Sequence, residues 1–261
     1  MTLTGRNLAL RFSTVVLVLV FAAVILAFVG AIRGVWQFSP TRISVNELLA
    51  IIGASVSAGL GLILAVIYLG LFRRTPALSV FFVTWFFLTM VFDIFKFGQI
   101  ILPASPWPQF TAEVSRAGIF GHISGVMAIF AAGLYAGGVR MQRHGTAMIV
   151  ACMIALGLSW SIPVDTGVLP TNLIHRAGIG TSLQATLVLL IAVSVVNFVH
   201  AALDSGNLRG LVTAAAVALV ATGREILFYR VEPLWIVLGA AGVLAGGIIF
   251  AGQNYRDFLV S

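Results

Sequence analysis

The chain has 261 residues, of which 60% are hydrophobic and only 9% charged, with a mean hydropathy of +1.09. That usage excludes a soluble globular domain, and the continuous, non-alternating apolar runs exclude a transmembrane β-barrel. The net charge of +7 comes from basic residues scattered at the ends of those runs, with no Lys/Arg cluster to track phosphates, so nucleic acid is excluded and a lipid bilayer is the expected partner.

The first element, "FSTVVLVLVFAAVILAFVGA", follows Arg6 and Arg11 and resembles a signal peptide. Its apolar run is long for such a segment, so it is read as an uncleaved first span. Apolar runs of membrane-crossing length place about eight spans, at 11–35, 46–72, 77–102, 114–138, 145–163, 178–203, 209–230 and 233–252. Only Val231 and Glu232 separate the last two, which would reduce the count to seven if they were one element. Pro233 suits the first turn of the eighth, where its missing N–H costs nothing. The expected fold is an all-α, polytopic transmembrane helix bundle forming a single domain over residues 1–261.

Orientation follows from the basic residues. With the N-terminus inside, the cytoplasmic segments hold Arg6, Arg11, Arg73, Arg74, Arg140, Arg143, Arg209 and Arg256, against Arg33, Arg42, Arg116 and Arg176 outside. The bias predicts both termini in the cytoplasm and, for a chain of this kind, a bacterial inner (plasma) membrane. Trp36, Trp107, Trp160 and Trp235 fall at the outer ends of spans, as an interfacial belt would, while Trp85 lies deep. Two outer connections are the longest, "ILPASPWPQFTAE" and "VDTGVLPTNLIHRAG"; either could cover a pocket. The short segment after the last span predicts no attached output domain, and no P-loop motif is present.

The third span carries "VFDIFKFGQ". At 100° per residue from Asp93, Thr89 falls at about −40°, Lys96 at about −60° and Gln99 at about −120°, one polar stripe on an apolar helix. Asp93 lies roughly 24 Å, and Arg224 of "ATGREILFY" roughly 22 Å, from the inner ends of their spans. Asp93, Lys96, Arg224 and Glu225 are therefore expected at one level. Arg224 and Glu225 point about 100° apart, so Asp93–Arg224 and Lys96–Glu225 are the charge-balanced pairings. His122, on the fourth span with Ser115, Gly118, Gly125 and Gly133 on its face, approaches the same level. A charge near mid-bilayer costs roughly 2.5–3.5 kcal/mol, which favours a functional cluster over snorkelling and interhelical glue. Small-residue rows on the second, fourth and eighth spans signal close packing, within the chain or at a dimer face.

Other chemistry is set aside. His122 and His200 lie at opposite depths, so they do not sandwich a haem; His122, His175 and Asp165 lack diagnostic zinc spacing. Lys96 is the only lysine and sits on the third span, a poor Schiff-base position for retinal. No cofactor is assigned, and no catalytic motif argues for an enzyme. The expected function is an outward-facing intramembrane site for a small polar or anionic ligand, in a transporter or transport-complex subunit, formed by Asp93, Lys96, Gln99, His122, Arg224 and Glu225. The alternatives are a receptor-like sensor signalling through a partner protein, and a structural subunit of a membrane complex or homo-oligomer.

Overall fold

The computed structural model describes residues 3–32, 44–71, 78–103, 108–139, 144–167, 169–206 and 208–260. Arg33, Trp36, Arg42, Arg73, Arg74, Trp107, Arg140 and Arg143 lie outside the described residues, so those orientation markers are not placed. The helices are α1 (Leu3–Ile32), α2 (Val45–Leu71), α3 (Leu78–Met90), α4 (Gly98–Ile101), α5 (Thr111–Ala136), α6 (His144–Ser161), α7 (Gly180–Asp204), α8 (Leu208–Tyr229) and α9 (Pro233–Val260). A 3₁₀ stretch, Val91–Phe97, joins α3 to α4 into one continuous third span. The short antiparallel pair β1 (Val164–Asp165) and β2 (Arg176–Ala177) ties down the connection between α6 and α7.

Seven of these helical segments are long and apolar enough to cross a membrane. The shorter one is Gly145–Ser161, in α6, and not either member of the pair around Val231–Glu232. α8 and α9 are distinct helices that pack on each other more closely than any other pair. Glycine makes this possible: a Cβ at Gly223 would stand 2.7 Å from the Gly239 carbonyl oxygen, and one at Gly246 2.5 Å from that of Ala216. The Gly242–Gly246 row is thus used inside the chain for α8–α9 contact.

Local chemistry sets the helix ends. Ser44 and Glu47 form a reciprocal capping box at the start of α2: the Ser44 N–H donates to Glu47 Oε2 (2.6 Å) and the Glu47 N–H to Ser44 Oγ (3.3 Å). Gly138 (φ +88°) and Gly206 (φ +62°) take left-handed conformations just past α5 and α7, where glycine stops a helix without a Cβ penalty.

The third span is the central post of the bundle. Phe81, Phe82, Phe86, Phe87 and Phe97 are all buried, packed by α1, α2 and α5, so they face protein and not lipid. α6, by contrast, turns Ile149, Val150, Met153 and Ile154 outward.

Candidate functional site

The polar stripe of the third span begins where α3 tightens into 3₁₀ geometry. The sequence pattern predicts a continuous α-helix here; the 3₁₀ turn over Val91–Phe97 differs from it. With three residues per turn, positions i and i+3 eclipse, which brings Asp93 and Lys96 onto one face. Both are buried, at 0% and 2% exposure, yet they do not pair with each other. Ser57 Oγ on α2 donates to Asp93 Oδ2 (2.5 Å), while Asp93 Oδ1 has no hydrogen-bond partner among the described residues. Lys96 Nζ reaches α8 and donates to the Phe228 carbonyl (2.9 Å).

That carbonyl belongs to the last turn of α8, where the helix supplies no N–H to satisfy it. Lys96 therefore caps α8 from another helix, and its charge also opposes the negative end of the α8 dipole. The ammonium lies 4.8 Å from the Phe228 ring centroid as well.

Arg224 is fully buried. Its Nη1 donates to Thr89 Oγ1 (2.9 Å), and its Nη2 to the carbonyls of Thr89 (3.3 Å) and Gly121 (2.8 Å). The guanidinium also lies 4.9 Å from the Phe86 ring centroid. It fits between α3 and α5 because residue 125 has no side chain: a Cβ there would overlap Nη1. Arg224 Nε has no hydrogen-bond partner among the described residues.

The expected pairings Asp93–Arg224 and Lys96–Glu225 do not form; among the described residues neither pair comes within ion-pair distance. The cations bind backbone carbonyls at helix crossings instead: Phe228 in the last turn of α8, Thr89 at the end of α3 and Gly121 within α5. The charges still act on one another: Asp93 lies within electrostatic reach of both Lys96 and Arg224, and Glu225 of Arg224.

Glu225 pairs with His122. Glu225 Oε1 stands 3.3 Å from His122 Nε2; beyond this contact, neither Glu225 oxygen nor either His122 nitrogen has a hydrogen-bond partner among the described residues. His122 is 2% exposed. Its ring stacks on Phe228 (centroids 4.0 Å apart, 14° between planes) and meets Tyr229 edge-on (5.5 Å, 86°). An unpartnered buried polar group costs about 1–3 kcal/mol, so the contact with each other is what the pair has to offset its burial.

His122 borders a cavity of about 500 Å³. The cavity lies between α5, the start of α7, the end of α8 and the connection that carries the β-pair, with His175, Thr181, Gln184 and Tyr229 among its walls. Gln184 is on its rim and exposed. Gln99 stands apart from the cavity. Its Nε2 donates to the Thr111 carbonyl and to Ser115 Oγ, both at 2.8 Å. Ser115 Oγ also accepts the His175 N–H (3.1 Å), so Gln99 ties the third span to the cavity wall. Leu173, buried with φ +57°, locks the same connection onto the bundle.

Of the six residues singled out from the sequence, His122 borders the cavity and Glu225 pairs with it. Asp93, Lys96 and Arg224 form a buried layer behind them, and Gln99 braces the wall. Sequence reasoning gave Ser57 and Gly125 packing roles only; a hydroxyl amid an otherwise small apolar row was the one available signal for Ser57. Among the described residues, no three His, Cys, Asp or Glu side chains group as a metal site.

Helix length, apolarity and a charge cluster enclosed by protein define a multi-pass integral membrane protein. No protein-family model matches the chain, and no curated protein matches it significantly.

Proposed function

We propose that the chain is a transporter or transport-complex subunit with an outward-facing intramembrane site for a small polar or anionic ligand. The observation that carries this is the His122–Glu225 pair. His122 is buried and borders a cavity of about 500 Å³; Glu225 stands at its Nε2 and is next in the chain to Arg224, whose guanidinium joins α8 to α3 and α5. Occupation of the cavity would be felt at once by the groups that hold those helices together. The Arg distribution in the sequence supports about eight crossings with α6 counted, both termini cytoplasmic, in a bacterial inner membrane.

Sealed proteoliposomes loaded with a pH dye test the reading. Short organic acids, amino acids and sugars are added in turn. Solute-driven flux is expected in the wild type and is lost in Glu225→Gln at unchanged melting temperature. Solute binding without flux supports the receptor-like sensor, a reading favoured by the 3₁₀ stretch in mid-span, since such stretches mark hinges. Neither binding nor flux leaves the structural subunit.

A further inference from the structure

Val91–Phe97 is long for a 3₁₀ element. It runs for seven residues, whereas such runs seldom exceed about three or four, because their hydrogen bonds are poorly aligned. It lies inside a span of 24 residues, Leu78–Ile101, with α geometry before and after it. No proline or glycine falls within it, so the tighter winding comes from its surroundings and not from its own sequence.

Those surroundings include side-chain bonds to three other helices. Ser57 on α2 holds Asp93, and the Phe228 carbonyl on α8 holds Lys96. Just beyond the stretch, Gln99 donates to the Thr111 carbonyl and Ser115 Oγ on α5. Rewinding the seven residues as α-helix would shorten the span by roughly 3.5 Å and turn Gln99 by roughly 140° relative to Thr89. Asp93, Lys96 and Gln99 could not all keep these partners.

Two of the bonds lead to the cavity. Phe228, whose carbonyl takes Lys96, also lines the cavity, as does the neighbouring Tyr229. Ser115, which takes Gln99, also accepts the N–H of His175, another lining residue. The stretch is thus tied to the cavity at the end of α8 and at the connection before α7, by routes that share no residue.

We infer that Val91–Phe97 is a switch segment that passes between 3₁₀ and α geometry, and that it is coupled to the shape of the cavity through Lys96–Phe228 and Gln99–Ser115. Lys96 is a positioning residue in this device: it holds the tighter form for as long as the Phe228 oxygen stays in reach. An occupant that displaces the last turn of α8 takes that oxygen away and lets the stretch relax to α geometry, a step that rests on the ligand-site reading above.

Pulsed electron paramagnetic resonance on the protein in lipid nanodiscs reads the length of the span. Spin labels go at Ser79→Cys and Pro103→Cys, with Cys152→Ser removing the only native thiol. Lys96→Met is expected to add a population roughly 3 Å shorter, while Lys96→Arg, which keeps a donor, retains the longer one. An unchanged distance in Lys96→Met overturns the switch, because a residue that only caps α8 would change the melting temperature and leave the span as it is. Where Lys96→Met does not fold, Ser57→Ala, which frees Asp93, carries the same comparisons. The link to the cavity is read from the rate at which methyl methanethiosulfonate modifies Ile174→Cys, at a buried position on the cavity wall, again with Cys152→Ser. Lys96→Met should raise that rate at least about tenfold, because turning Gln99 away frees the wall at His175; an unchanged or slower rate overturns the link. Neither readout adds a solute, so shifts in both without any solute flux remove the ligand-site reading and leave the switch standing.

Discussion

The Arg224 guanidinium occupies the space that a side chain at residue 125 would fill: a Cβ on Gly125 would overlap Nη1 and crowd Thr89 Oγ1. One helix thus omits a side chain so that a second can pass a charge through to a third. Gly125→Ala should displace the guanidinium from the Thr89 and Gly121 oxygens, at a cost of roughly 3 kcal/mol. Thermal unfolding in detergent measures it. Adding Arg224→Met, which removes the crowding group, should make the double variant clearly more stable than the sum of the single effects, because the two residues share one volume.

Asp93 and Arg224 lie in electrostatic reach of each other but bind different partners, Ser57 and Thr89. Exchanging them, as Asp93→Arg with Arg224→Asp, should therefore give no rescue: the double variant is expected to be no better folded than either single one. Recovery of the wild-type melting temperature would show a direct pair.

Ser57→Ala leaves both oxygens of Asp93 without a hydrogen bond. The expected loss is about 1–3 kcal/mol for an unsatisfied buried acceptor, large for so small a change at a small-residue helix crossing. Asp93→Asn in the Ser57→Ala background should recover part of it, since a neutral amide is less costly to bury. Melting temperatures of the three variants decide the point.

Lys96 ends α8 from outside by donating to the Phe228 carbonyl. Lys96→Met keeps the length and apolar stem but removes the donor. Amide exchange should rise selectively near Tyr229, Arg230 and Val231, with α5 protected as before. Uniform protection along α8 would show that the carbonyl needs no cap.

Much of the fold was legible in the sequence because apolar runs report helices directly; all eight expected segments are helical, with α6 the short one. The buried layer was legible too, because charged residues inside apolar helices stand out: Asp93, Lys96 and Arg224 are each at most 2% exposed. Their partners were not. A sequence displays charges but not which backbone oxygens of neighbouring helices lie within their reach, and such oxygens, on Phe228, Thr89 and Gly121, took Lys96 and Arg224. Gly125 looked like a packing glycine because a row of small residues does not say what fills the gap. The connection "VDTGVLPTNLIHRAG" was one of two expected to be able to cover a pocket, but which of its residues, Thr171, Asn172 and His175, face the cavity was hidden, because no periodicity marks them.

The most direct test of the cavity is a map of the protein in lipid nanodiscs at side-chain resolution, recorded with a solute that the flux assay selects. Compact solute density within the cavity beside His122, with Glu225 at Nε2, is the expected result. An acyl chain filling the space beside His122, or an empty space with His122 and Glu225 turned to other partners, would contradict it.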